Sequence, residues 1–280
     1  NDIACFNVES VPELEIINEI AASKSKTANV AIRINPNVNA NTHHYITTGL
    51  EENKFGINQW DLEKVTDAIS KMKHINLEGL HFHIGSQITD LTTFRDLCVR
   101  INELQKWFIS RQIYPKIINV GGGLGIDYND PNQNPIPDFE AYFKIFNDFL
   151  ELKPDQEVHF ELGRSLVAQS GNLITKVLYV KEGVKTKFAI VDAGMTELIR
   201  PALYQASHKI ENLSSVATEE KYDVVGPICE SSDCFGKALS LPHTSRGGII
   251  AIRSAGAYGE IMASQYNLRE LPKSYFSDTI

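Results

Sequence analysis

Two textures alternate along the first half of the chain. Short apolar runs end in polar or Gly-rich turns, and between them lie stretches whose apolar residues recur every three or four positions. Residues 30–36 read as a strand stopped by Pro36, and residues 77–84 as a second strand ending at Gly85-Ser86. Residues 117–120 form a third, ending in Gly121-Gly122-Gly123, and residues 158–161 a fourth, ending at Gly163-Arg164. Residues 5–10 look like one more strand end, begun at the start of the chain. Helical spacing covers 60–72, with Leu62, Val65, Ile69 and Met72 on one side, and also 92–109 and 139–152. Such units predict an α/β fold of parallel strands joined by right-handed crossovers. Two architectures fit the pattern: an open sheet of five strands, or a closed (β/α)8 barrel lacking its first three strands.

After Ser165 the texture changes. Residues 175–180, 188–191, 222–225 and 248–252 are short β-like runs with no long amphipathic helix between them. They predict a separate antiparallel β domain, a barrel or sandwich. The division expected is 1–166 for the α/β part and 167–280 for the β part.

Composition narrows the function classes. The chain has 280 residues, 27 Lys and Arg against 35 Asp and Glu, and a net charge of −8. That acidic balance argues against a nucleic-acid groove, though not against a local pocket for a small anion. No apolar run is long enough to span a bilayer, and the first residues carry no signal-peptide pattern, so a cytoplasmic protein is expected. Cys5, Cys98, Cys229 and Cys234 match no zinc or redox spacing and are expected to be free thiols.

The polar residues of interest sit at strand ends, where α/β folds place their sites. Gly121-Gly122-Gly123-Leu124-Gly125 lets backbone N–H groups approach a phosphate, but fits neither the dinucleotide fingerprint nor a P-loop. A plain tight turn explains it equally well. Glu161-Leu162-Gly163-Arg164 can offer an amide and a guanidinium to an anion, or form an ordinary turn with a surface ion pair. Together the two segments match the phosphate site that barrels build after their last strands. His81 and His83 point to one face of a strand, which invites a zinc site, a stacking imidazole with Ser86 on a phosphate, or two core histidines. Cys229-Glu230 places a thiol beside a carboxylate, which does not favour the thiolate. Cys229 therefore suits a proton donor better than a nucleophile, or is simply a cysteine beside a polar turn. Arg200-Pro201 with Tyr204, and Gly256-Ala257-Tyr258-Gly259, offer substrate clamps or structural turns.

In this order the motifs resemble the pyridoxal-phosphate-dependent decarboxylases of the alanine-racemase fold, and within them the diaminopimelate type. The segments that carry the resemblance are 6–10, 33–36, 45–49, 54–56, 83–87, 121–125, 161–165, 229–233 and 256–259. It implies a (β/α)8 barrel followed by a β domain, with pyridoxal 5'-phosphate at the C-terminal mouth of the barrel. It assigns His83 to stacking on the pyridine ring and Glu161 to the ring nitrogen. Ser86, Gly122, Gly123, Gly163 and Arg164 fall to the phosphate. Arg164, Arg200, Tyr204, Glu230 and Tyr258 fall to the substrate, Tyr258 also to the cofactor. Cys229 falls to reprotonation after CO₂ leaves. It implies a homodimer in which Cys229 and Glu230 reach the partner's barrel. No metal, nucleic acid or membrane enters.

Arg200 and Glu230 together could hold the two opposite charges at the far end of meso-2,6-diaminopimelate, with L-lysine as product, and Cys229-Glu230-Ser231-Ser232-Asp233 looks like the diaminopimelate type. Ornithine decarboxylases typically carry Asp-Gly after the corresponding Cys. Ornithine, arginine and carboxynorspermidine remain rival substrates, and a non-catalytic binding protein and a zinc hydrolase remain rival classes. The sequence departs from the family's pattern in two ways. Leu162 stands where the family has Pro. No Tyr-Ala-x-Lys-like segment supplies the Schiff-base lysine, and Lys54 belongs to another motif. The expectation is an N-terminally incomplete decarboxylase, poorly stable and essentially inactive as this span alone.

Overall fold

The computed structural model describes residues 3–38 and 54–279. By internal packing they divide into two units. One comprises residues 1–125 and 138–163; the other comprises residues 126–137 and 164–280. The segment 45–49 that contributed to the family resemblance lies outside the described residues.

The first unit is built on five parallel strands: β1 (Phe6–Val8), β2 (Ala28–Arg33), β3 (Ile75–His81), β4 (Ile117–Asn119) and β5 (Glu157–His159), paired in that order. Helices α1 (Val11–Ser23), α2 (Leu62–Lys71), α3 (Thr92–Ser110) and α4 (Phe139–Phe149) lie between them in sequence. α2 is entered through a short 3-10 turn at Gln59–Asp61. α1 starts where Ser10 accepts the N–H of Glu13 at 3.3 Å while the Glu13 carboxylate accepts the N–H of Glu9 at 2.7 Å. This is a close variant of the reciprocal N-terminal cap. α4 starts at Asp138, whose side chain accepts the Ala141 N–H.

α3 buries Phe94, Leu97, Cys98, Ile101, Leu104 and Phe108 along one stripe. Two polar residues on that stripe, Asn102 and Gln105, are buried because they close the end of α4. Asn102 donates to the Phe149 carbonyl at 2.9 Å and accepts the Glu151 N–H at 2.9 Å; Gln105 donates to the Glu151 carbonyl at 3.2 Å. Phe94, Tyr142, Phe146 and Phe160 fill the space between helices and sheet with edge-on ring contacts.

The sheet curls. Neighbouring strands lie about 4.8 Å apart, so β1 and β5 would stand roughly 19 Å apart in a flat sheet. Yet the Asn7 amide on β1 is 3.1 Å from the carboxylate of Glu161, two residues beyond β5. Side chains at the C-terminal ends of β1, β3 and β4 and just beyond β5 therefore meet at one point.

The second unit holds a six-stranded sheet in the order β10-β9-β7-β6-β11-β8. Its members are β6 (Leu173–Glu182), β7 (Lys187–Val191), β8 (Ile210–Asn212), β9 (Glu219–Val225), β10 (Cys234–Pro242) and β11 (Ile249–Ile252), with short helices α5 (Arg164–Val167) and α6 (Arg200–Tyr204). The sheet is mixed rather than wholly antiparallel, because β7 pairs parallel with β9. Residues 192–218 between them form the long connection that a parallel pair needs. Val177, Val191, Tyr222, Val224, Ile250 and Ile252 make the inward layer. Asn212 on one edge strand donates to the Pro242 carbonyl on the other at 3.3 Å, so this sheet nearly closes on itself.

Candidate active site

In the first unit the strand ends present a layer of polar side chains. The register sets Arg33, His81 and Asn119 side by side on β2, β3 and β4. Glu161 is their focus. Its Oε1 accepts from the amides of Asn119 at 2.9 Å and Asn7 at 3.1 Å, and its Oε2 lies 3.1 Å from His81 Nε2. The hydrogen bond from His81 is the largest cause that lowers this carboxyl to about 2; partial burial opposes it, and Asn119 adds to it. The side chain remains 43% exposed, so an ionised carboxylate is held in place with part of its surface open.

His83 sits beside it. Burial first, then the charges of Arg33 and His81, push this imidazole down to about 4, so it is neutral at physiological pH. The Gly122 N–H donates to His83 Nδ1 at 3.2 Å, which leaves the ring proton on Nε2. Gly121 has φ +72°, and a Cβ there would lie 2.2 Å from the Phe82 carbonyl oxygen. Only glycine permits that approach. The Gly121 N–H donates to Asn119, and among the described residues nothing takes the N–H of Gly123. Gly163 has nothing within 4 Å of a built Cβ. Ser86 is half-buried on the turn after β3.

A second carboxylate in this unit behaves differently. Glu9 binds Arg33 at 2.6 Å through Oε1 and the Gly56 N–H at 2.9 Å through Oε2. That pair neutralises itself.

In the second unit two buried guanidiniums share one aromatic ring. Arg164 donates to the Tyr128 hydroxyl at 2.6 Å and lies over the Tyr258 ring at 4.8 Å. Arg200 lies over the Tyr128 ring at 4.5 Å and donates to His208 Nε2 at 2.8 Å. His208 Nδ1 is 2.8 Å from the Arg253 carbonyl, which fixes the acceptor on Nε2. Burial foremost, with Arg200 and Arg164 adding, pushes His208 down to about 4. Arg200 makes no ion pair among the described residues. Tyr204, at the end of α6, is half-buried.

Cys229 and Glu230 ride on a separate loop. Both are exposed, and Glu230 accepts from the Tyr266 hydroxyl at 2.8 Å. The loop is cinched by buried Asp233, whose carboxylate accepts the N–H groups of Met195 at 2.6 Å and Ile228 at 2.7 Å. The structure thus brings Glu161, His83 and Gly122 together in one unit, and Arg164, Arg200 and Tyr258 in the other. Asn7, Asn119, Tyr128 and His208 were missed as functional residues. The available signal was a polar residue closing an apolar run, as Asn119 does after Ile117-Ile118.

An ionised carboxylate, a neutral flat imidazole and a glycine turn suit a cofactor with a basic ring nitrogen and an anionic tail. A family model described as the pyridoxal-dependent decarboxylase, pyridoxal binding domain, matches residues 1–168. The chain belongs to this family. Pyridoxal phosphate is accordingly its cofactor, and the donor set of the first unit fits it. The chain is 63% identical over 278 residues to a diaminopimelate decarboxylase of Bacteroides thetaiotaomicron, covering 99% of this chain and 72% of the relative. It is 43% identical to that of Haemophilus influenzae, covering 95% of this chain and 64% of the relative. Among solved structures, the diaminopimelate decarboxylase of Helicobacter pylori complexed with L-lysine superposes with a TM-score of 0.87 at 41% identity. That match covers 95% of this chain and 66% of the solved one. The chain thus spans about two thirds of the length of these pyridoxal-dependent relatives. No helix among the described residues is long and apolar enough to cross a membrane.

Proposed function

We propose that this chain carries the cofactor and substrate machinery of a diaminopimelate decarboxylase, which converts meso-2,6-diaminopimelate to L-lysine and CO₂. The observation that carries the reading is the caging of Glu161 by Asn7, His81 and Asn119. The relatives' names point to the same substrate. The curl of the five-stranded sheet supports a (β/α)8-type barrel.

Pyridoxal phosphate, when bound, supplies a conjugated ring that accepts the electron pair left behind as CO₂ departs. Glu161, fixed and ionised, holds a proton on the ring nitrogen. His83 offers a flat neutral face to the ring. Ser86, Gly122, Gly123, Gly163 and Arg164 are assigned to the phosphate, with the N–H of Gly123 ready to donate. Arg200 is assigned to a substrate carboxylate, together with Arg164, Tyr204 and Tyr258. Glu230 is assigned to the distal ammonium. Cys229 delivers a proton from Sγ to the α-carbon. The exposure of Cys229 and Glu230 supports their use across a homodimer interface. A cytoplasmic enzyme of this composition needs no membrane partner.

Because this span supplies no Schiff-base lysine, the test is CO₂ release by a holoprotein that includes one, from meso-2,6-diaminopimelate, ornithine, arginine and carboxynorspermidine, with L-lysine measured alongside. Equimolar CO₂ and L-lysine from the first alone is the expected result. Turnover of one of the other three instead refutes the substrate assignment.

A further inference from the structure

His81 is the member of the His-x-His pair that the cofactor reading leaves without a role. It ends β3, in register with Arg33 and Asn119, and is 4% exposed. Its Nε2 lies 3.1 Å from Glu161 Oε2. Its Nδ1 is buried and has no hydrogen-bond partner among the described residues. The bond to Glu161 is thus the ring's single polar contact there. A buried ring with one nitrogen unsatisfied is a poor choice for packing alone, because desolvating that nitrogen is costly and an apolar side chain would avoid it.

The three donors divide between the two oxygens of Glu161. Asn119 and Asn7 both bind Oε1, and His81 alone binds Oε2. Without His81, Oε2 would lose its protein partner, and the half-exposed carboxyl could turn about Oε1 or take up a proton. We propose that His81 is a positioning residue that locks Oε2 of Glu161, and so fixes the direction and charge of the carboxylate presented to the cofactor's ring nitrogen. The role rests on assigning Glu161 to that nitrogen. The depression of the Glu161 carboxyl to about 2, with the His81 hydrogen bond as its largest cause, agrees with it. Asn119 and Asn7 are the complementary anchors, so the cage needs donors from β1, β3 and β4 together.

Three variants test it: His81→Leu, His81→Gln and Glu161→Gln. The glutamine amide nitrogen reaches close to the Nε2 position and restores a donor. Carbon-13 NMR of the Glu161 carboxyl, in protein without cofactor, should show its titration midpoint rising by about one pH unit in His81→Leu. It should return most of the way in His81→Gln. The cofactor dissociation constant should weaken about tenfold in His81→Leu, the equivalent of one charge-assisted hydrogen bond. His81→Gln should recover most of that loss.

An unmoved Glu161 midpoint in His81→Leu overturns the proposal. So does equal weakening of cofactor binding by His81→Leu and His81→Gln, which would mean packing alone. If His81→Leu does not fold, nitrogen-15 shifts of His81 in the unsubstituted protein decide: an Nε2 without a proton overturns the proposal. A moved midpoint in His81→Leu, with cofactor binding unaffected in Glu161→Gln, would uphold the lock and refute only the ring-nitrogen assignment.

Discussion

Glu161 in the first unit and Arg200 in the second carry opposite charges and are held alike. Two amides and an imidazole fix Glu161. An imidazole acceptor and a phenol ring fix Arg200. In neither case, among the described residues, is there a carboxylate–guanidinium or carboxylate–ammonium pair. The Glu9–Arg33 pair at 2.6 Å is the contrast, since each charge there satisfies the other. Polar partners set a charged group's position without cancelling its charge, which leaves it available to a ligand of opposite sign. A self-paired charge is structural. This difference separates site residues from framework residues better than their sequence neighbourhoods do.

Glu161→Gln should break the comparison hardest on the first-unit side. Loss of a preorganised charge at the reacting centre is expected to lower kcat by about 10²–10³, read as CO₂ release at saturating substrate. A change confined to KM would mean that Glu161 serves binding alone. Arg200→Gln should act differently. Removing a charge-assisted contact to substrate is expected to raise KM by about 10- to 100-fold with a smaller fall in kcat, because the contact exists before and during the reaction. An equal fall in kcat and kcat/KM would place Arg200 in the chemistry instead.

The framework pair should behave as neither. Glu9→Gln leaves the partly buried Arg33 guanidinium without its charged partner and is expected to cost roughly 1–3 kcal/mol of stability by denaturant unfolding. Cofactor affinity should stay within about twofold, and a large loss would move Glu9 into the site.

The mildest probe is acid. His83 and His208 each sit near 4 in the folded state against 6.5 unfolded. Between those values the unfolded chain binds more protons, so stability should fall as pH drops from about 6.5 to 4. Glu161, at about 2 against 4.5, continues the loss below pH 4.5. Thermal unfolding across that range checks it, and a melting temperature flat from pH 6.5 to 4 would contradict the burial of both imidazoles.

Much of the fold was legible because period and punctuation agree. Pro36, Gly85, Gly121 and Gly163 follow the strands at the expected places. The strand expected over 77–84 instead ends at His81, and the segment that follows it carries His83 to within 3.2 Å of the Gly122 N–H. α1 is hard to read because exposed Ile16 and Ile20 blur its apolar stripe, although Ser10, Pro12 and Glu13 give a helix-start signal. β10 escaped because Gly236, a register shift and Pro242 mask its alternation. The parallel β7–β9 pairing is a long-range choice that no local pattern encodes. The ends of the site chain, Glu161 and Arg200, were readable from motifs. Their holders Asn7, Asn119, Tyr128 and His208 come from distant segments, and only the curl of one sheet and the packing of the other unit bring them in.

The most direct test of the account is the ring nitrogen itself. Nitrogen-15 NMR of labelled pyridoxal phosphate bound to the protein should show a protonated ring nitrogen at pH 7.5, and an unprotonated one in Glu161→Gln. The same unprotonated shift in both proteins would contradict the claim that the caged carboxylate of Glu161 is held for the cofactor.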